Sequence, residues 1–120
     1  MCTHLAQILA EIEGVEIMGT SSNAADACRF IESHTPDVAI LDINLPDGSG
    51  IDILKKIRET CSTTKAIMFT HYPFPQYETQ CSHLGAEYFF DKYRESDKLI
   101  DVIREMALKY ATNLKPIKSI

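Results

Sequence analysis

Apolar positions along this chain fall into alternating stretches of two periods. Leu5, Ile8, Leu9 and Ile12 recur at helical spacing, with Thr3 as a candidate N-cap and Gly14 as the stop. Val15 to Thr20 reads as a short strand. Asn23 then caps a second helix whose inner side carries Ala24, Ala27, Cys28 and Ile31, and Pro36 closes that region. The run ending at Asp42 is continuously apolar, as suits a strand buried on both faces of a parallel sheet. A third helix presents Ile51, Ile53, Leu54 and Ile57. Ala66 to Thr70 is another buried strand, His71 to Pro75 a loop, and Gln76 to Leu84 a fourth helix stopped by Gly85. Glu87 to Phe90 is an aromatic strand that leads into Asp91-Lys92. Ser96 is a candidate cap for a last helix with Leu99, Ile100, Val102, Ile103, Met106, Ala107 and Tyr110 as its apolar stripe.

Strands that alternate with helices in this way predict an α/β domain with a doubly wound parallel sheet covered on both faces. In such sheets ligands bind beyond the carboxyl ends of the strands. Three polar residues stand there. Asp42 ends one strand and is followed at once by the turn formers of Asn44-Leu45-Pro46-Asp47-Gly48-Ser49-Gly50. Thr70 ends the next strand, and Lys92 follows the one after. Each has a plainer reading: Asp42 or Thr70 as a helix cap, Lys92 as a solvated loop residue. Ser49 and Asp52, however, are better placed than Asp42 to cap the helix that follows. A carboxylate, a hydroxyl and an ammonium that converge form an acceptor site for a phosphoryl group. The carboxylate is the nucleophile, the hydroxyl a donor to a phosphoryl oxygen, and the ammonium an offset for its charge.

Composition narrows the class. A chain of 120 residues with 45% hydrophobic and 24% charged residues is one globular domain with a real core. Its formal charge of −5 argues against nucleic-acid binding by this chain. No apolar run approaches membrane-spanning length and no signal peptide is visible, which predicts a cytoplasmic protein. Cys2, Cys28, Cys61 and Cys81 have no C-x-x-C spacing and read as reduced thiols that fill small spaces rather than zinc ligands.

Pro36 to Gly50, Thr70, and Gly85-Ala86-Glu87-Tyr88-Phe89-Phe90-Asp91-Lys92 together resemble the receiver domain of bacterial two-component response regulators. The resemblance covers nearly the whole chain. It implies a flavodoxin-like receiver fold and a phosphoacceptor role for Asp42, loaded by a histidine kinase or a phosphotransfer protein. It further implies that Asp42 and the backbone carbonyl of Asn44 hold Mg2+, that Thr70 and Lys92 bind the phosphoryl group, and that Phe89 is the switch aromatic. The chain is most similar to receivers that precede a helix-turn-helix output domain, so an output domain or a protein partner is expected.

Two departures from the family pattern matter. The family begins with a central strand that ends in an acidic pair, whereas this chain starts at the following helix. Glu11 and Glu13 lie in or at the end of that helix, so the metal site is incomplete and Mg2+ is expected to bind weakly or not at all. The strands flanking the gap would stand about 9.6 Å apart, two ladder spacings, with unpaired backbone groups. The segment Leu114 to Ile120 could enter the gap from its own chain or a partner's, although Pro116 and Lys118 suit a central strand poorly. Failing that, it is a disordered tail. Exchange of this segment would give a homodimer. Secondly, His71 follows Thr70 where the family mostly has a small residue, and Tyr93 follows Lys92 where proline is common. His71 would narrow access to Asp42 unless it turns into solvent.

The expected organisation is a receiver domain over residues 1–110 and a tail or linker over 111–120. Two functions are then open. One is a phosphoacceptor signalling domain that switches a partner surface. The other is a phosphorylation-independent interaction module on the same scaffold. No separate machinery for enzymatic turnover is visible.

Overall fold

The computed structural model describes residues 7–9, 11–12, 19–21, 23–34, 37–45, 47–60, 63–71, 73–110 and 117–119. Thr3, Leu5, Gly14, Pro36, most of the Val15 to Thr20 strand and the side chain of Tyr110 lie outside them. After a helical turn at residues 7–9, the elements run as follows. β1 (Gly19–Ser21) leads to α1 (Ala24–His34) and β2 (Val38–Leu41). β3 (Asn44–Leu45) and β4 (Gly48–Ser49) precede α2 (Gly50–Thr60). β5 (Lys65–Thr70), α3 (Pro75–His83), β6 (Tyr88–Asp91), α4 (Ser96–Tyr110) and β7 (Ile117–Ser119) complete the order.

Five strands form one sheet in the order β1-β7-β2-β5-β6, and every pairing is parallel. The doubly wound reading therefore holds. The gap between β1 and β2 is filled from within the chain. β7 pairs with β1 through Gly19↔Ile117, Thr20↔Lys118 and Ser21↔Ser119, and with β2 through Ile40↔Lys118. The C-terminal segment is thus an interior strand, second in the order, despite carrying a lysine. Interior strands are buried on both sides, and two strands two spacings apart would leave their ladder groups unpaired. That cost outweighs the poor strand character of the segment.

The side-chain period of two then sorts the core onto both faces. Ala39 and Leu41 of β2 with Ala66 and Met68 of β5 face one way. They pack with Ala27 and Ile31 of α1, Ile53, Leu54 and Ile57 of α2, and Cys81 of α3. Val38 and Ile40 with Ile67 and Phe69 face the other way, against Leu9, Phe90 and Leu99, Ile103, Met106 and Ala107 of α4. Every residue of β2 is buried, as its unbroken apolar run requires. Cys81 is fully buried and its thiol is pushed up to about 11 by that burial, so it acts as a small hydrophobe. Among the described residues no helix is long and apolar enough to cross a membrane.

Local chemistry sets the helix ends. Asn23 Oδ1 accepts the N–H of Asp26 at 2.9 Å, the expected cap of α1. Ser49 Oγ accepts the N–H of Ile51 at 3.1 Å and caps α2, which leaves Asp42 out of that task. At the end of α3, Gly85 takes φ +88, a left-handed value that suits glycine. The N–H of Ala86 reaches the carbonyl of Cys81 and that of Gly85 the carbonyl of Ser82, both at 3.0 Å, a Schellman closure. The starts of two helices differ from the sequence reading. α3 starts at Pro75, because proline is pre-shaped for the first helical turn and its missing N–H costs nothing there. Ser96 is inside α4 rather than before it, since the carbonyl of Glu95 already accepts the Leu99 N–H at 3.1 Å.

Candidate functional site

The parallel register brings the carboxyl ends of β2, β5 and β6 side by side. Leu41 pairs with Met68, and Thr70 with Asp91. The residues that follow or end these strands are Asp42, Thr70 and Lys92, so the three side chains expected to converge do stand at one sheet edge. Lys92 Nζ donates to Asp42 Oδ2 at 2.7 Å, and these side chains are only 10% and 8% exposed. Thr70 is fully buried. The aliphatic stem of Lys92 allows this burial, and its ammonium lies 5.8 Å from the centre of the Phe69 ring. A buried carboxylate with a buried cation at hydrogen-bonding distance is a charge pair that the fold holds in place. Phe89 pairs with Met68 across the ladder and packs, half-buried, against the core on the α1–α3 side.

The loop after Asp42 is itself ordered. Asn44 and Ser49 pair, as do Leu45 and Gly48, in an antiparallel two-strand turn. The N–H of Gly50 closes it on the carbonyl of Ile43 at 3.0 Å. Its tip carries Asp47, whose carboxylate accepts the N–H groups of Ala24 at 2.6 Å and Ala25 at 3.2 Å at the start of α1. Spacing along the chain gave no signal for this contact between residues 23 positions apart. The only hint was an acid in a loop at the same sheet edge as a helix N-terminus, where negative charge is favoured.

These two hydrogen bonds, the Ala24 one foremost, hold the Asp47 carboxyl below its usual range. A lowered folded value means the cap contributes fully above the unfolded value of about 3.9, and the contribution is lost as pH falls through the lower folded value. Asp47→Ala is therefore expected to lower the melting temperature by a constant amount between about pH 5 and pH 8, with the difference shrinking below about pH 4. Thermal melts of both proteins across that range check this.

Among the described residues, the groups around Asp42 do not make a magnesium site. Asp42 Oδ2 is taken by the Lys92 ammonium, Asp47 by the α1 N-terminus, and Asp91 Oδ1 accepts the N–H of Tyr93 at 2.8 Å. The backbone of Asn44 belongs to the β3–β4 turn. Among the described residues no group of three or more His, Cys, Asp or Glu side chains could hold a metal. Magnesium wants a near-octahedral set of oxygens, and one carboxylate already shared with an ammonium supplies little of it.

With fold and site in view, comparison with known proteins gives a consistent answer. A model of the response regulator receiver domain matches residues 1–104, and the chain belongs to that family. It is a receiver domain of two-component signalling. The oxygen regulatory protein NreC of Staphylococcus epidermidis is 30% identical over 103 residues, which cover 85% of this chain and 47% of NreC. The chain spans about half the length of the curated relatives it matches. The crystal structure of a DNA-binding response regulator of the LuxR family from Staphylococcus aureus superposes with a TM-score of 0.79 at 27% identity, covering 88% of each chain. A chain of the CheX–CheY–BeF3–Mg2+ complex from Borrelia burgdorferi superposes with a TM-score of 0.77 at 28% identity, covering 89% of this chain and 79% of that one.

Proposed function

We propose that Asp42 is the phosphoacceptor of this receiver domain, loaded by a histidine kinase or a phosphotransfer protein in the cytoplasm. The observation that carries this reading is the buried 2.7 Å pair of Asp42 and Lys92 at the carboxyl ends of β2 and β6, with the buried Thr70 ending the strand between them. A carboxylate oxygen of Asp42 attacks phosphorus, the P–O bond to Asp42 forms, and the bond from phosphorus to the donor breaks. The transferred group carries negative charge into a site walled by apolar residues. Lys92 offsets that charge, and Thr70 supplies a hydroxyl donor to a phosphoryl oxygen. Phe89 lies one ladder position before the β6 residue that faces Thr70's neighbour Phe69. In this reading Phe89 changes rotamer when Thr70 moves and so alters the α3–β6 surface that a partner reads. The partner is an output domain or a separate protein, as the LuxR-family likeness suggests. Exchange of β7 between two copies is the route to a homodimer.

Two outcomes test the reading. Incubation with a small acyl phosphate should modify the wild-type chain slowly, because its metal site is incomplete, and whatever phosphoryl group it takes, read by intact mass, should be missing from Asp42→Asn. Equal modification of the two proteins would refute the assignment. Magnesium should bind weakly, so a titration followed by amide NMR shifts near Asp42 should not saturate in the sub-millimolar range. Saturation there would mean that a further carboxylate completes the site.

A further inference from the structure

The loop that follows Asp42 is tied down at its base and at its tip. At the base, the N–H of Gly50 donates to the carbonyl of Ile43 at 3.0 Å. The Gly50 main chain also lies so close to the Asp42 carbonyl that a Cβ there would collide with it. The return leg of the loop therefore rests on the peptide of Asp42 itself. At the tip, Asp47 Oδ1 accepts the N–H of Ala24 at 2.6 Å and Oδ2 that of Ala25 at 3.2 Å. Between tip and base, the pairs Asn44↔Ser49 and Leu45↔Gly48 hold the two legs together. α1 has a cap of its own without Asp47. Asn23 Oδ1 accepts the N–H of Asp26 at 2.9 Å, and the Asn23 carbonyl accepts that of Ala27 at 3.2 Å. This helix start is exposed, so water can serve the donors that remain. A carboxylate brought from 23 residues away and held through both oxygens exceeds what capping requires. What it adds is a fixed place and direction for the loop tip, since two charge-assisted bonds set orientation as well as distance.

Resting on the reading of Asp42 as phosphoacceptor, we propose that Asp47 is a positioning residue for phosphoryl transfer. Its bonds to the start of α1 hold the loop tip. The paired legs and the Gly50 contact carry that restraint to the Asp42 main chain. Asp42 Oδ2 meets Lys92 Nζ at 2.7 Å, and the two residues come from different strands. A shift of the Asp42 peptide therefore changes the pair directly. Among the described residues the groups around Asp42 do not make a metal site, so in this reading protein contacts orient the acceptor. In loading from an acyl phosphate, the bond between phosphorus and the donor's acyl oxygen breaks. A bond from phosphorus to an Asp42 oxygen forms, and the donor's carboxylate leaves to solvent. Asp47 takes no part in these bonds and acts on orientation alone. Misplacement of a reacting group by about 1 Å can cost on the order of a hundredfold in rate. Removal of Asp47 leaves the base of the loop bonded, so the loss is smaller than that limit.

The test sets Asp47→Ala against Asn23→Ala in the whole chain. Both variants weaken the start of α1, but only the first releases the acceptor loop. Each is checked by a thermal melt, incubated with acetyl phosphate and followed by intact mass. Asp47→Ala is expected to load roughly five- to tenfold more slowly than wild type, and Asn23→Ala to stay within about twofold. Asp47→Asn keeps an oxygen for one of the two donors and should fall between them. A second readout needs no phosphoryl group. The amide NMR signals of Asp42 and Asn44 should move in Asp47→Ala and hold still in Asn23→Ala. Equal loading rates in the two alanine variants, or unmoved Asp42 and Asn44 signals in Asp47→Ala, would overturn the proposal, because Asp47 would then be a helix cap and nothing more. The acceptor reading fails separately if Asp42→Asn takes as much label as wild type, and the signal comparison still decides the role of Asp47. Should Asp47→Ala prove unfolded in the melt, Asp47→Asn carries the comparison and must load more slowly than Asn23→Ala.

Discussion

Gly50→Ala should cost about 3 kcal/mol and lower the melting temperature by roughly 10 °C. A Cβ at Gly50 would collide with the Asp42 carbonyl oxygen. It would also lie 2.8 Å from the Asp42 carbonyl carbon and 3.4 Å from Ile43 Cα. These neighbours are main chain, so no side chain can swing aside. The first turn of α2 would have to move away from the end of β2. That motion breaks the 3.0 Å bond from the Gly50 N–H to the Ile43 carbonyl and displaces Asp42 itself. Gly48 is the control two positions away. A Cβ there meets only Ala24 Cβ at 3.6 Å and Asp52 Oδ2 at 4.0 Å, ordinary contacts. Gly48→Ala should stay within about 0.5 kcal/mol of wild type. Chemical denaturation of the two variants checks the contrast. Equal stability would mean that the loop does not approach the strand end as described.

Lys118→Pro should destabilise the domain by about 3 kcal/mol, a large effect for a residue so near the chain end. Lys118 pairs with Thr20 on one side and Ile40 on the other. Proline removes its N–H from an interior parallel ladder and leaves a buried carbonyl without a partner. If the segment lay outside the sheet, the same substitution would change stability by no more than about 0.5 kcal/mol. Urea denaturation decides between these values. Light scattering on the variant adds a second reading. A sheet with this interior position vacated exposes two pairing edges, and the variant should associate more than wild type.

The parts of this molecule that could be read from the sequence are those set by local periodicity and turn chemistry. The four buried residues of β2 stand where an unbroken apolar run demanded a two-faced strand. Asn23 and Gly85 act through bonds between residues three to five positions apart, so their caps were visible in advance. That Asp42, Thr70 and Lys92 share one sheet edge was legible because parallel topology puts every strand's carboxyl end there. What escaped depends on distance in the chain. Asp47 closes a helix 23 residues earlier. Gly50 is required by the close approach of two backbones, which no residue pattern encodes. β7 is a partial case, because the gap beside the Asp42 strand already made entry of Leu114 to Ile120 one open reading. Nothing local marks Ile117–Ser119 as a strand, and its lysine argues against one. Only the unpaired groups of β1 and β2 call for it, and those follow from the whole topology. The contact between His71 and Tyr93 lies between these cases. Each position could be named from the sequence, but their meeting rests on the Thr70↔Asp91 register.

The most direct test of the central claim is to locate the phosphoryl group at residue level. Wild-type chain loaded with acetyl phosphate, reduced with borohydride and digested should yield a single altered peptide, and fragmentation should place the reduced residue at Asp42. Label at Asp47, Asp91 or any other carboxylate, or an unaltered Asp42 peptide in a chain that has gained a phosphoryl group, would contradict it.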